Sequence, residues 1–373
     1  MENNKKLRVA ITHGDTNGIG YELIFKTFAE QEILELCTPI IYGSPKVATY
    51  HRNALDIEAN FTIINDASDI KDGRVNLLPV FDEEIKVELG VATEESGNAG
   101  LVAIDRALED YKQGLFDVLI TCPLENNDKF HFSGQSRYIN DHLGIMEQGL
   151  TVLVNEGMRI ALATRNLPLK DVCEYLTKDI LVRQATLLYE SLKRDFCLSC
   201  PRIALLGINP KAGDNGLLGS EEIELIQPAI EQLAANGIQA FGAYAADTLF
   251  GNGDYTKFDA ILAMYYEQAF TPFRTIPIGN GINYTAGLSL IRTAPDMPNS
   301  LSLAGKNIAE VDAFRNAIYA AIDIYRNRIN YDEPLSNPLP KLYKERKEEG
   351  EKVRFAVKRN DFSTKGEQVS NEQ

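Results

Sequence analysis

The sequence predicts an α/β protein built on a largely parallel sheet, and three observations carry that reading. Short apolar runs recur along the chain, stretches with helical periodicity separate them, and a glycine-rich turn follows the first run. Leu7–Thr12 (LRVAIT) reads as a buried strand, runs into His13–Gly20 (HGDTNGIG), and hands over to a helix from about Tyr21. Pro39–Gly43, Asp117–Thr121, Arg159–Thr164, Arg202–Gly207 and Ala260–Met264 are further apolar runs whose lengths and flanks favour strands over helices. Between them, Leu181, Ala185, Leu188, Leu192 and Phe196 recur at helical spacing and mark one buried stripe. A second helix opens at Ser220 with two glutamates suited to a helix N-terminus, and stops at Gly237. Val311, Phe314, Ile318, Ala321 and Tyr325 give a last amphipathic helix. From residue 331 the chain is proline-broken and then charge-dense, which predicts a poorly ordered tail over 331–373.

At 373 residues and 44% hydrophobic content, the chain can bury the cores of two lobes. Its net charge of -15 excludes a nucleic-acid binder, because phosphate backbones need a concentrated basic face. One pocket can still be locally basic, so a small anionic substrate stays open. No stretch approaches the roughly 18 consecutive apolar residues of a membrane helix, and no apolar run precedes the first strand. A cytoplasmic protein with no membrane partner is expected. The five cysteines do not suggest a disulfide framework. Cys197 and Cys200 form a CxxC without a second pair or nearby histidines, which favours a structural role over metal or redox chemistry. Packing accounts for Cys122.

Thr12, Gly14, Asp15, Gly18, Ile19 and Gly20 form a TxGDxxGIG turn that can present backbone N–H groups to an anion. The spacing is not GxGxxG, and a tight turn needing positive φ accounts for the glycines equally well. Further along stand Thr121–Pro123 (TCP), Phe132–Tyr138 (FSGQSRY), Ala163–Asp171 (ATRNLPLKD), Leu206–Asp214 (LGINPKAGD), Ala246–Phe250 (ADTLF), Leu262–Gln268 (LAMYYEQ), Gly281–Thr293 (GINYTAGLSLIRT) and Leu303–Gly305 (LAG). In this order and spacing the chain, from about Leu7 to Asn327, resembles the 4-hydroxythreonine-4-phosphate dehydrogenases of vitamin B6 biosynthesis.

That resemblance implies two α/β/α lobes with a cleft between them, as in isocitrate and isopropylmalate dehydrogenases. One lobe would be 1–138 plus 290–330, the other 139–289 with the dimer contacts. It further implies a homodimer with its site at the subunit junction. The implied reaction is NAD- or NADP-dependent oxidation of 4-phosphooxy-L-threonine, or a related phosphorylated hydroxy acid, followed by decarboxylation. The residues that hold the cofactor stay unassigned. In the family, three of these segments each carry a metal-ligating histidine. Here those positions are Asn166, Lys211 and Tyr266, so no divalent metal is expected.

The family's substrate-touching His-Thr pair corresponds to Gln135 and Ser136, followed by Arg137 in place of a glutamate. Arg274 stands for a lysine, while Asp247, Asn283 and Arg292 are kept. Gln135, Ser136, Arg274, Asn283 and Arg292 are therefore the expected substrate ligands. Lys211, Tyr266 and Asp247 are the expected catalytic groups, with the lysine supplying the charge of the missing metal and the tyrosine moving the proton. The same substitutions fit a second reading, a non-catalytic paralogue that binds a small anion or a nucleotide.

Overall fold

A computed structural model describes residues 6–81, 85–144, 149–164, 166–276, 281–297 and 300–337. Twelve strands make one sheet: β1 Leu7–Thr12, β2 Cys37–Gly43, β3 Thr62–Ile63, β4 Asn76–Pro79, β5 Val118–Thr121, β6 Leu150–Val154, β7 Arg159–Leu162, β8 Arg202–Leu206, β9 Gln239–Tyr244, β10 Ala260–Ala263, β11 Ile282–Ala286 and β12 Ile291–Pro295. Their order is β3-β4-β2-β1-β5-β12-β11-β6-β7-β10-β8-β9. Strands β1 to β5 and β12 thus occupy one half, and β6 to β11 the other.

Pairing within each outer region is parallel, and three antiparallel pairs (β12–β11, β11–β6, β6–β7) join the halves. The apolar runs read from the sequence all appear as strands. The β11–β12 hairpin was quoted there only as a motif, because its Asn283, Thr285, Arg292 and Thr293 break the apolar signal.

Side chains alternate across this sheet with period two, and both faces are covered. On β1, Val9 and Ile11 enter one core with Ile24, Phe25, Phe314 and Ile318, while Ala10 enters another with Ala103, Ile104, Ala107 and Leu108. On β7, Ala161 joins the first core, whereas Ile160 and Leu162 face a third with Ile261, Ala263 and Phe273.

Helix Lys178–Arg194 buries Leu181, Ala185, Leu188 and Leu192, and Thr177 caps it by accepting a hydrogen bond from Ile180 N. The helix expected from Ser220 is instead a π-turn, Glu222–Ile226, leading into an α-helix, Gln227–Ala235. Pro228 lacks the N–H that would have bonded four residues back, so the chain widens before it. The last helix runs Asp312–Ser336, beyond the point where the sequence reading ended it. The rest of the expected tail lies, from residue 338, outside the described residues.

A buried polar knot fixes that last helix to the sheet. Arg328 Nε donates to Asp195 Oδ1 at 2.7 Å and its Nη2 to the Tyr284 hydroxyl at 3.0 Å, while Tyr284 itself donates to Asp195 Oδ2 at 2.6 Å. Ser191 Oγ adds a further bond to Asp195.

The glycine-rich turn follows β1. Gly14 has φ +74°, and a Cβ there would stand 2.2 Å from Pro123 O, so no other residue fits. Next to it His13 is fully buried, stacked on Tyr21 at 5.4 Å and edge-on to Phe81. Burial, helped by the neighbouring His51, lowers its pKa to about 3. An unfolded histidine takes its proton near pH 6.5. Between about pH 6.5 and 3 the unfolded chain therefore holds a proton the native one refuses, and stability falls as pH falls through that window. Urea midpoints measured from pH 7 to pH 4 should decline less steeply in His13→Phe than in the wild type. Equal slopes would refute the assignment.

Candidate active site

The sheet order sets where a ligand can lie. From β1 the chain first moves outward to β2, and later returns to the other side of β1 with β5. In parallel α/β sheets such a reversal opens a crevice beyond the carboxyl ends of the strands. A cavity of about 550 Å³ lies beside that reversal, beyond the ends of β5 and β12. Its wall takes Thr121 and Pro123–Asn126 after β5, Phe132–Arg137 around a helix start, Asn166, one face of helix Tyr266–Thr275, Asn283 on β11, and Arg292 and Ala294–Met297 on and after β12.

Local sequence explains the approach of these groups. Gly134 adopts φ +85° and ψ 146°, which turns the chain into helix Gln135–Leu143 and brings Gln135 and Ser136 to its first turn. Helix Tyr266–Thr275 also begins at the cavity, and Tyr265, the residue before it, offers no side-chain cap. Helix Gln135–Leu143 thus meets this space with its uncapped N-terminal turn, while helix Tyr266–Thr275 lies along it.

Arg292 is the most tightly held charge in the wall, 3% exposed. Its Nε donates to Thr121 Oγ1 at 3.0 Å, Nη1 to Ser136 Oγ at 3.0 Å and Asn283 Oδ1 at 3.4 Å, and Nη2 to Gln135 Oε1 at 2.8 Å. Gln135 is fixed at both ends, since its Nε2 donates to Cys122 O at 2.9 Å. It orients Arg292, and one of its two amide N–H groups is committed to the backbone.

Arg274 is engaged differently. Nε and Nη2 grip Asp296 at 2.9 and 2.7 Å, a bidentate pair that, with burial set against it, holds the guanidinium charge more firmly than usual. Arg274 lines the cavity as expected, but its fork is occupied by a carboxylate of the chain itself. Arg137 also lines the cavity and leans on Asp141 at 3.7 Å. Together Arg137, Arg274 and Arg292 give this space a positive bias over Glu125 and Asp296, within a chain of net charge -15.

The structure therefore brings Gln135, Ser136, Asn166, Tyr266, Arg274, Asn283 and Arg292 to one cavity. It does not bring Lys211 or Asp247 there. Lys211 is exposed on Pro210–Gly216, where Lys211 to Asn215 all take positive φ and Glu222 pins the preceding backbone by accepting from Ile208 N and Asn209 N. That loop packs against helix Ala246–Gly251, which carries the exposed Asp247 at a separate groove with Phe250, Tyr265 and Pro272. The Lys211–Tyr266 pairing anticipated from the sequence is thus not made within one chain. Thr121, Thr285 and Asp296 went unnamed as site residues. Thr121 had a signal, since it ends an apolar strand just before Cys122–Pro123. Cys122 is fully buried, as packing required, whereas Cys197 and Cys200 are both exposed and fill no core.

The family model of the pyridoxal phosphate biosynthetic protein PdxA matches residues 35–321. The chain belongs to this family. A 4-hydroxythreonine-4-phosphate dehydrogenase of Bacteroides thetaiotaomicron is 45% identical over 359 residues, covering 95% of this chain and 98% of its own length. One from a Sulfurihydrogenibium species is 32% identical over 86% of this chain and 99% of its own. The crystal structure of a 4-hydroxythreonine-4-phosphate dehydrogenase from Klebsiella pneumoniae superposes with a TM-score of 0.72 at 25% identity, over 87% of this chain and 99% of its own. The PdxA fold is thus carried by the whole described sheet and not by one half of it.

Proposed function

We propose that this chain oxidises 4-phosphooxy-L-threonine, or a closely related phosphorylated hydroxy acid, with NAD or NADP, and that the product then loses carbon dioxide. The observation that carries this reading beside the family relationship is Arg292, a buried guanidinium held in the cavity wall beside the N-terminal turn of helix Gln135–Leu143. A phosphate or carboxylate fits that electrostatic setting. Leu124, Phe132 and Met297 give the wall apolar surface suited to a planar nicotinamide ring. When bound, that ring accepts the hydride.

The residues present do not suit the family's divalent metal. Asn166 and Tyr266 offer neutral amide and phenol groups, and a lysine ammonium is no ligand at neutral pH. Among the described residues no three His, Cys, Asp or Glu side chains gather to replace them.

Lys211 and Asp247 enter this reading through a second copy of the chain. Both are exposed and sit on elements packed together, so a homodimer would present them jointly to a neighbour's cavity. There Lys211 would stabilise negative charge on the reacting oxygen. The two halves of the sheet, 1–138 plus 290–330 and 139–289, would act as the lobes that enclose the substrate. No helix among the described residues is long and apolar enough to cross a membrane, which suits work on a small cytoplasmic metabolite.

The test is NADH or NADPH absorbance on adding 4-phosphooxy-L-threonine, with and without chelator. Turnover indifferent to chelator is expected. For the dimer, Lys211→Ala and Arg292→Ala should each be inactive alone and regain turnover when unfolded and refolded together, because one mixed site keeps both residues. No recovery on mixing would place Lys211 outside the site.

A further inference from the structure

Helix Tyr266–Thr275 presents one unbroken ladder to the cavity, formed by Tyr266, Phe270 and Arg274 at successive four-residue steps. Side chains at this spacing lie above one another on a helix face. Tyr266 stacks on Phe270 with ring centres 4.0 Å apart and planes 20° from parallel. The Arg274 guanidinium lies over the same Phe270 ring at 4.6 Å. Asp296 holds Arg274 from the side, and that pairing first, with the nearby Tyr266 adding to it, strengthens the hold of Arg274 on its charge. A phenol, a permanent cation and a carboxylate are thus fixed in sequence by stacking and a bidentate pair.

We propose that Tyr266, held beside Arg274, is the catalytic proton acceptor for the oxidation in this cavity. The proposal rests on the dehydrogenase reading above and adds to it the group that takes the proton. Two features suit Tyr266 to the task. It is 36% exposed, so its hydroxyl is open to a substrate and to solvent. The stack on Phe270, itself covered by the Asp296-held Arg274, fixes its ring at the cavity wall. The lysine anticipated beside it is not in the wall.

In the step itself, the substrate's carbinol hydroxyl would give its proton to the Tyr266 oxygen, which passes its own proton to solvent, as the C–H hydride is taken by the oxidised nicotinamide. One C=O bond would form, two electrons would leave with the hydride, and the phenol would end as it began. Asp296 takes no proton; it keeps Arg274 in place.

Tyr266→Phe tests this, since it keeps the ring stack and removes only the hydroxyl. General-base loss should lower kcat by about 100-fold or more, while KM for the phosphoester and calorimetric binding of inorganic phosphate stay within about threefold of wild type. Arg274→Met should also lower kcat, with the variant still folded by circular dichroism. An active wild type whose kcat changes by less than about threefold in Tyr266→Phe overturns the proposal alone. A wild type with no turnover overturns the dehydrogenase reading and this proposal with it. Turnover abolished by chelator and restored by one metal ion per chain also overturns it, because the metal would then do what is assigned here to Tyr266.

Discussion

Arg292→Ala is expected to weaken binding of a phosphate ester by about tenfold or more, since the cavity would lose its buried positive charge, worth about 1.5–3 kcal/mol on the scale of one charge-assisted hydrogen bond. The effect should be large because Arg292 is preset. Thr121, Ser136, Asn283 and Gln135 hold its guanidinium before any ligand arrives, so little ordering remains to oppose binding. Arg292→Lys retains the charge and loses the planar fork, and should fall between wild type and alanine. Titration calorimetry with inorganic phosphate and with the phosphoester measures this directly. Affinity unchanged in Arg292→Ala would make the residue a strut between β12 and the loop after β5, and would remove the main support for the proposed substrate.

Arg328→Ala should have the largest effect on stability, destabilising the fold by about 3–5 kcal/mol. The alanine leaves Asp195, itself 2% exposed, as a buried carboxylate without its cation. Tyr284→Phe removes only one neutral donor to that carboxylate and should cost about 1–2 kcal/mol. Urea unfolding of the two variants against wild type gives both numbers. A loss below about 1 kcal/mol in Arg328→Ala would show that the knot contributes no more than a surface ion pair.

Most of the sheet was legible because a parallel strand covered on both faces is apolar throughout. Leu7–Thr12 and Ala260–Ala263 betray themselves by composition alone. The β11–β12 hairpin was not legible as strands, because its polar side chains serve the cavity and the Asp195 knot rather than the core. The π-turn at Glu222–Ile226 escaped because Pro228 is acceptable near a helix start, and periodicity does not reveal that two helices abut there.

Site residues were found by their place in ordered motifs, and seven of them do share one cavity. What those motifs could not convey was engagement. Nothing in the sequence says that Gln135 spends both ends of its amide on Arg292 and Cys122, or that Asp296 fills the fork of Arg274. Nor does it say that Lys211 stands on an exposed loop outside that cavity, and that is why Lys211 was paired with Tyr266.

The placement of β12 bears on how the protein is made. Strands β6 to β11 are contiguous in sequence, so a ribosome that has delivered residue 286 has delivered every strand of that half. The other half is different. Strand β5 leaves the ribosome early, yet its neighbour on one side is β12, whose Ile291 pairs with Val118 about half a chain later. Until then β5 has an open edge, and open apolar edges invite pairing with other nascent chains. The half that emerges first is therefore the half that finishes last. Translation speed and chaperone supply should govern the yield of this protein through that one delayed strand.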